Sequence, residues 1–343
     1  MLDILEKLSN LRGVSGYEDA VKELMKRELR KSCDEVNEDR FGNVIGKKGH
    51  GKPVVMLAAH MDEVGFMVKH IDDNGYVKFI SIGGIDDRIL PGQKVRILAE
   101  KKEISGVIGF KPPHLMKKDE KKNPVEADEL FIDTGLSKDE AKELIEVGSP
   151  IIFDSTFEDL KNGKVLGRAF DNRIGCLVML EAMKRLNKTK CTIYAVGTCQ
   201  EELGLKGART AAYSIKPDYA LALDTTISGD TPDIKSMEAN IKLGKGPCIT
   251  VIEAAGRGMV PSPKVKRHLI NCAKEKEIPY QLDVWKQGMT DAAIIYISNE
   301  GIPTGGICIP TRYIHAPYSI ADVKDIKDSI DLTVSFIESI GEI

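Results

Sequence analysis

The sequence predicts an α/β fold, a sheet with helices on both faces, interrupted by a small inserted β-barrel-like module. Three observations carry this. Continuous apolar runs such as "KPVVMLAAH" (52–60) alternate with helical segments near both ends of the chain. From about Glu63 the texture changes to short, alternating, Gly-punctuated strands. After about Gly167 the alternation of strand and helix returns. The simplest division is one α/β domain in two pieces, 1–64 and 163–343, with 65–162 inserted between them.

The elements follow in order. "SGYEDAVKELMKRELRKSC" places Val21, Leu24, Met25 and Leu29 at helical spacing, with Ser15 available as a cap. "DEVNEDRFGNVIGKKG" alternates like a hairpin, and 52–60 reads as a strand buried on both faces. Within the inserted module only "SKDEAKELIE" (137–146) looks helical, and "KKDEKKNP" (117–124) reads as a charged, mobile loop. Beyond it, "NRIGCLVMLEAMKRL", "KVKRHLINCAKEKE" and "ADVKDIKDSIDLTVSFIESI" are helical, while "CTIYAVG", "DYALALD" and "PTGGICIP" are strands.

Composition narrows the function. At 343 residues, 42% hydrophobic and 29% charged, the chain can build a large core and more than one domain. A net charge of -3 makes nucleic acid a poor partner. Seven cysteines without a CxxC pair fit a reducing cytoplasm better than a disulfide framework or a Cys-based zinc module. No apolar run approaches the ~20 residues of a membrane span, and "MLDILEKLSN" lacks a signal-peptide layout.

Chemistry gathers at the carboxyl ends of the expected α/β strands, where open sheets of this kind form their crevice. "VVMLAAHMDEVG" ends in His60 and Asp62, "CTIYAVGTCQEELG" in Glu201 and Glu202, and "YALALDTT" in Asp224. "GGICIPTRYIHAP" runs into His315, and "GRAFDNRIG" puts Asp171 at a helix start. Imidazoles and carboxylates without cysteine make a nitrogen/oxygen donor set suited to Zn²⁺ or a similar first-row ion. Three ligating carboxylates and a bridging hydroxide would balance two divalent ions. One of the adjacent glutamates would bind metal and the other act as general base. Both can face one site only where the strand is ending, since strand side chains alternate. His60 and Asp62 share a strand face, which suits a ligating imidazole oriented by a carboxylate.

Each residue also has a plainer reading. Asp171 alone would be a helix cap, Asp224 a turn residue, Glu201–Glu202 an exposed first helical turn, and His315 a packed histidine. His50, His70, His114 and His268 receive only the plain reading. Gly288, Thr290 and Asp291 in "QGMTDAAIIYI" are either a cap or a substrate-contacting turn.

"AAHMDEVGFMV", "GRAFDNRIGC", "CQEELGLKGA", "ALDTT", "GMTDAA" and "IPTRYIHAP", in this order across the whole chain, resemble the tetrahedral (TET) aminopeptidases of the glutamyl and deblocking aminopeptidase family. The resemblance implies a zinc-peptidase-like mixed sheet flanked by helices. It implies two divalent metal ions per subunit, zinc or cobalt. His60 and Asp224 would hold one ion, Glu202 and His315 the other, and Asp171 would bridge. Glu201 would be the general base and Asp62 would orient His60. "FDNR" matches the family segment in which the bridging aspartate precedes a cis peptide. Short peptides are the implied substrates. The resemblance also implies assembly into homododecamers built from dimers, with the inserted module mediating much of it. "AAGRGMVPSPKV" departs from a more charged family segment without touching the expected ligands.

The preference expected for the first side chain is broad or apolar. Alternatives are a deacylase of acyl-amino acids on the same scaffold and a non-catalytic shell subunit. A glycosidase would need a carboxylate pair working without metal, and chelation separates that case.

Overall fold

The computed structural model describes residues 1–116, 125–187 and 189–343. The loop expected over 117–124 lies outside them.

The long apolar runs form the centre of a mixed sheet, as the sequence predicts. Strands Val54–His60, Thr192–Thr198, Tyr219–Ile227 and Thr304–Arg312 lie side by side and parallel. Val55, Met56, Leu57 and Ala58 are fully buried, because helices cover both faces and leave no side for polar alternation. Antiparallel strands flank this parallel core: Val44–Lys48 against Thr192–Thr198 on one side, Ser319–Asp322 against Thr304–Arg312 on the other. Parallel strands send all their carboxyl ends to one rim, and this brings distant acids together.

The helix Phe170–Arg185 crosses the buried face. It carries Ile174, Leu177, Val178 and Met179 into the main core beside Leu57, Ile193 and Leu223. Its start is irregular: Ala169 is left-handed, and Asp171 and Asn172 leave helical geometry. Gly175 lets this helix press onto the neighbouring strand. A Cβ there would lie 2.2 Å from Asn172 Oδ1 and 2.3 Å from the Leu223 carbonyl oxygen. Gly175→Ala is expected to destabilise the protein by roughly 1–3 kcal/mol through overpacking, read as a lower urea midpoint at unchanged slope.

Between the two halves of this sheet in sequence, six antiparallel strands close into a barrel. They are Gly65–Ile71, Val77–Ile82, Lys94–Leu98, Glu103–Gly109, Phe131–Asp133 and Pro150–Phe153. Its core centres on Phe66, which meets Phe79 and Phe153 edge to face at 5.0 and 5.2 Å. The expected helix forms over Lys138–Leu144, held by a capping box between Ser137 and Glu140.

The first segments differ in one respect. The helix Asp19–Leu29 forms, but Ser15 does not cap it. The Ser15 hydroxyl instead donates to Asp62 Oδ2 at 2.6 Å. Besides Ser319–Asp322, the strands Cys248–Ile252 and Gln281–Val284 went unrecognised in the sequence. They pair with each other and extend the sheet from Thr304–Arg312.

Candidate active site

All seven acids and imidazoles expected at the rim converge there. His60 ends its strand and is buried, and Asp224 lies within the neighbouring strand, also buried. His315 arrives from beyond Thr304–Arg312, with its Nδ1 2.7 Å from the Gly84 carbonyl oxygen. Asp171 stands between the imidazoles. Its Oδ1 is 3.1 Å from His60 Nε2 and its Oδ2 is 3.1 Å from His315 Nε2. The Asp171–Asn172 peptide is cis. His315 Nε2 also lies 3.0 Å from Glu202 Oε1, while His60 Nε2 is 3.7 Å from Asp224 Oδ1 and 3.9 Å from Glu201 Oε2.

The turn after Thr198 shows how two adjacent glutamates reach one site. The strand stops at Thr198, and Gln200 adopts a left-handed conformation, φ 55°. The next two amides then point back to one carboxylate. Glu201 N–H donates to Asp62 Oδ1 at 3.0 Å, and Glu202 N–H to Asp62 Oδ2 at 3.1 Å. Asp62 Oδ1 lies 3.4 Å from His60 Nδ1. Asp62 therefore sits at the hinge of both groups: it faces the imidazole and pins the turn that carries the glutamates. The Glu201 carboxylate accepts no hydrogen bond from the described residues.

The electrostatics show a shortage of positive charge. Burial opposes protonation of His60, yet Glu201, Asp171, Asp62 and Asp224 raise its pKa well above the ordinary value. His315 is likewise pushed up to about 11, against its burial, by Asp171 and Glu202. Burial, joined by repulsion from neighbouring carboxylates, raises Glu201 and Asp224 far above the usual range, and Glu202 also moves up. Asp171 is lowered against its burial by the two imidazoles that flank it. Among the described residues, no lysine or arginine lines the cavity that opens on these groups. Among the described residues, two sets each have their donor atoms within 4.8 Å of one another: His60–Asp171–Glu202 and His60–Glu201–Asp224. Buried carboxylates crowded around two imidazoles, with no lysine or arginine among the described lining residues, make a nitrogen/oxygen donor set that fits divalent cations.

Behind the rim, Glu63 accepts from Gly13 N–H at 3.0 Å and pairs with Arg168, while Arg173 donates to the Leu8 carbonyl at 2.9 Å. These bonds fix the Asp171 segment against the N-terminal helix and the start of the barrel.

The residues around "GMTD" divide. Gly288 and Thr290 line a cavity of about 190 Å³ that opens on the cluster. Asp291 is not among its lining residues and is only 1% exposed; its Oδ2 accepts from the Thr198 hydroxyl at 2.5 Å. Sequence reasoning missed Glu253, Asp283 and Trp285, which also line the cavity. They come from the strands Cys248–Ile252 and Gln281–Val284 and the positions that follow, which the sequence did not announce.

A profile of the M42 glutamyl aminopeptidase family matches residues 42–332. The Lysyl aminopeptidase of Pyrococcus furiosus is 35% identical over 343 residues, covering 98% of this chain and 97% of that protein. The solved TET aminopeptidase of Thaumarchaeota archaeon SCGC AB-539-E09 superposes with a TM-score of 0.95 at 39% identity, covering 98% of this chain and 95% of that one. The Pyrococcus horikoshii TET1 peptidase, described as assembling into a tetrahedron or a large octahedral shell, gives 0.86 at 32% identity, covering 98% of each chain. On a profile match spanning most of its length, and on relatives aligned from end to end, the chain belongs to the M42 glutamyl aminopeptidase family of peptidases.

Proposed function

We propose that this aminopeptidase binds two divalent cations, zinc or cobalt, in the rim cluster and uses Glu201 as general base to release the N-terminal residue of short peptides. The observation that carries the reading is Asp171, whose two oxygens face different imidazoles while the Glu201 carboxylate stays free beside them. His60 and Asp224 are assigned to one ion, Glu202 and His315 to the other, and Asp171 to both. When bound, such ions polarise a carbonyl and acidify water so that it attacks at neutral pH.

The residues of the chain do the rest. Glu201, kept basic once the cluster is neutralised, takes the proton from the attacking water and delivers it to the departing amine. Asp62 holds the turn that aims Glu201 and orients the His60 ring. The cavity lined by Gly288 and Thr290 receives the first residue.

Assembly and location follow the same reasoning. The barrel, taken with its connections as a unit over 65–162, is assigned to contacts between copies. The state is a homododecamer built from dimers, in keeping with the shell described for the Pyrococcus horikoshii peptidase. Among the described residues no helix is long and apolar enough to cross a membrane. The reduced cysteines accord with a cytoplasmic location.

The test is hydrolysis of amino-acid p-nitroanilides before and after chelation, and again after adding zinc or cobalt. Free-amine substrates should be cut only with metal, and their N-acetyl counterparts should not be cut. Release of acetate from N-acetyl amino acids, with the free-amine p-nitroanilides left uncut, would assign the scaffold to deacylation, and full activity after chelation would remove the metal from the account.

A further inference from the structure

Family membership does not set the side-chain preference: the matching profile is described as glutamyl and the Pyrococcus furiosus relative as lysyl. The cavity itself is more informative. Glu253 and Asp283 line it and are 4% and 3% exposed, respectively. They stand on neighbouring segments: Glu253 follows the strand Cys248–Ile252, and Asp283 lies in the strand paired with it. Neither carboxylate has a basic partner among the described residues, and no lysine or arginine lines the cavity.

Both carboxylates are held in place by neutral donors. The Thr290 hydroxyl donates to Glu253 Oε1 at 2.8 Å and its N–H to Oε2 at 3.3 Å. Trp285 Nε1–H donates to Thr226 Oγ1 at 2.6 Å, and that hydroxyl donates in turn to Asp283 Oδ2 at 2.7 Å. A carboxylate offers about four acceptor positions, so each retains capacity for a further donor. The remaining wall includes Ile227, Trp285, Met289 and Ile314. An apolar sleeve with acids set into it matches an aliphatic stem that carries a cation.

On the reading of the rim as an aminopeptidase centre, we propose that this cavity is the pocket for a cationic first side chain, lysine or arginine, with Glu253 and Asp283 as its charge partners. The broad or apolar preference expected from the sequence took no account of these acids. A glutamate side chain would meet two buried carboxylates and, among the described residues, no lysine or arginine to compensate. Burial raises Glu253 to about 7 and Asp283 to about 6, and an arriving ammonium or guanidinium favours their ionised forms.

The test compares kcat/KM for lysyl, arginyl, leucyl and glutamyl p-nitroanilides on metal-loaded protein. Lysyl or arginyl substrate should exceed leucyl at least tenfold, and glutamyl should be poorest. In Glu253→Gln and in Asp283→Asn the lysyl-to-leucyl ratio should fall at least tenfold, and a ratio is insensitive to the folded fraction of each preparation. If the acids gripped the α-ammonium instead, both substrates would suffer alike and the ratio would hold, overturning the proposal. A wild type that prefers leucyl or glutamyl substrate overturns it too. Binding is read without turnover by thermal shift. L-lysinamide should raise Tm more than L-norleucinamide does, and the difference should vanish in the two variants; equal shifts in the wild type contradict the pocket. Should no p-nitroanilide be cut with any metal, the peptidase reading fails while the thermal shift still decides the pocket.

Discussion

Glu201→Gln is expected to lower kcat by about 10²–10⁴-fold while leaving the metal content unchanged. Glutamine keeps the shape of the side chain but cannot take a proton at neutral pH. Among the described residues the Glu201 carboxylate makes no hydrogen bond that the amide would forfeit, and its backbone N–H remains available to Asp62. The turn should therefore stay in place, with Glu202 still beside His315. Removing one of several mutually repelling buried carboxylates should not reduce Tm. Single-turnover kinetics alongside elemental analysis check both halves. Near-normal turnover would show that the proton passes elsewhere, and lost metal would show that Glu201 is chiefly a ligand.

Asp171→Asn should reduce bound metal to at most one ion per chain and bring hydrolysis to background. The wild-type carboxylate presents one oxygen to each imidazole, at 3.1 Å in both directions. An amide retains a single acceptor oxygen and no negative charge, so it can serve one side only. The loss should appear after dialysis, by elemental analysis, with a circular dichroism spectrum like that of the wild type. Two ions retained in the variant would remove Asp171 from the bridging role.

The parallel core strands were legible because burial on both faces leaves an uninterrupted apolar run, as in Val54–His60. The acids at the rim were legible for the opposite reason: a charge at the end of such a run is costly without a partner. The barrel showed as a change of period. Less visible was anything that depended on a contact between distant segments. Ser15 looked like a cap, but the helix begins only at Asp19, behind Glu18, and the Ser15 hydroxyl donates to Asp62 instead. Asp62 read as a partner for one histidine, while its hold on the Glu201–Glu202 turn required Gln200 to turn left-handed. Asp291 read as either a cap or a substrate contact, and in the fold its carboxylate instead accepts from the Thr198 hydroxyl. Cys248–Ile252 and Gln281–Val284 were too short to give a period, and the first of them is bulged against the second. With them the acidic wall of the cavity went unseen.

Anomalous diffraction at the zinc edge, from crystals grown with zinc, tests the paired-cation site most directly. Two peaks per chain are predicted, one against His60 and Asp224, the other against Glu202 and His315, both touching Asp171. A single peak, or density only at sites away from Asp171, would contradict it.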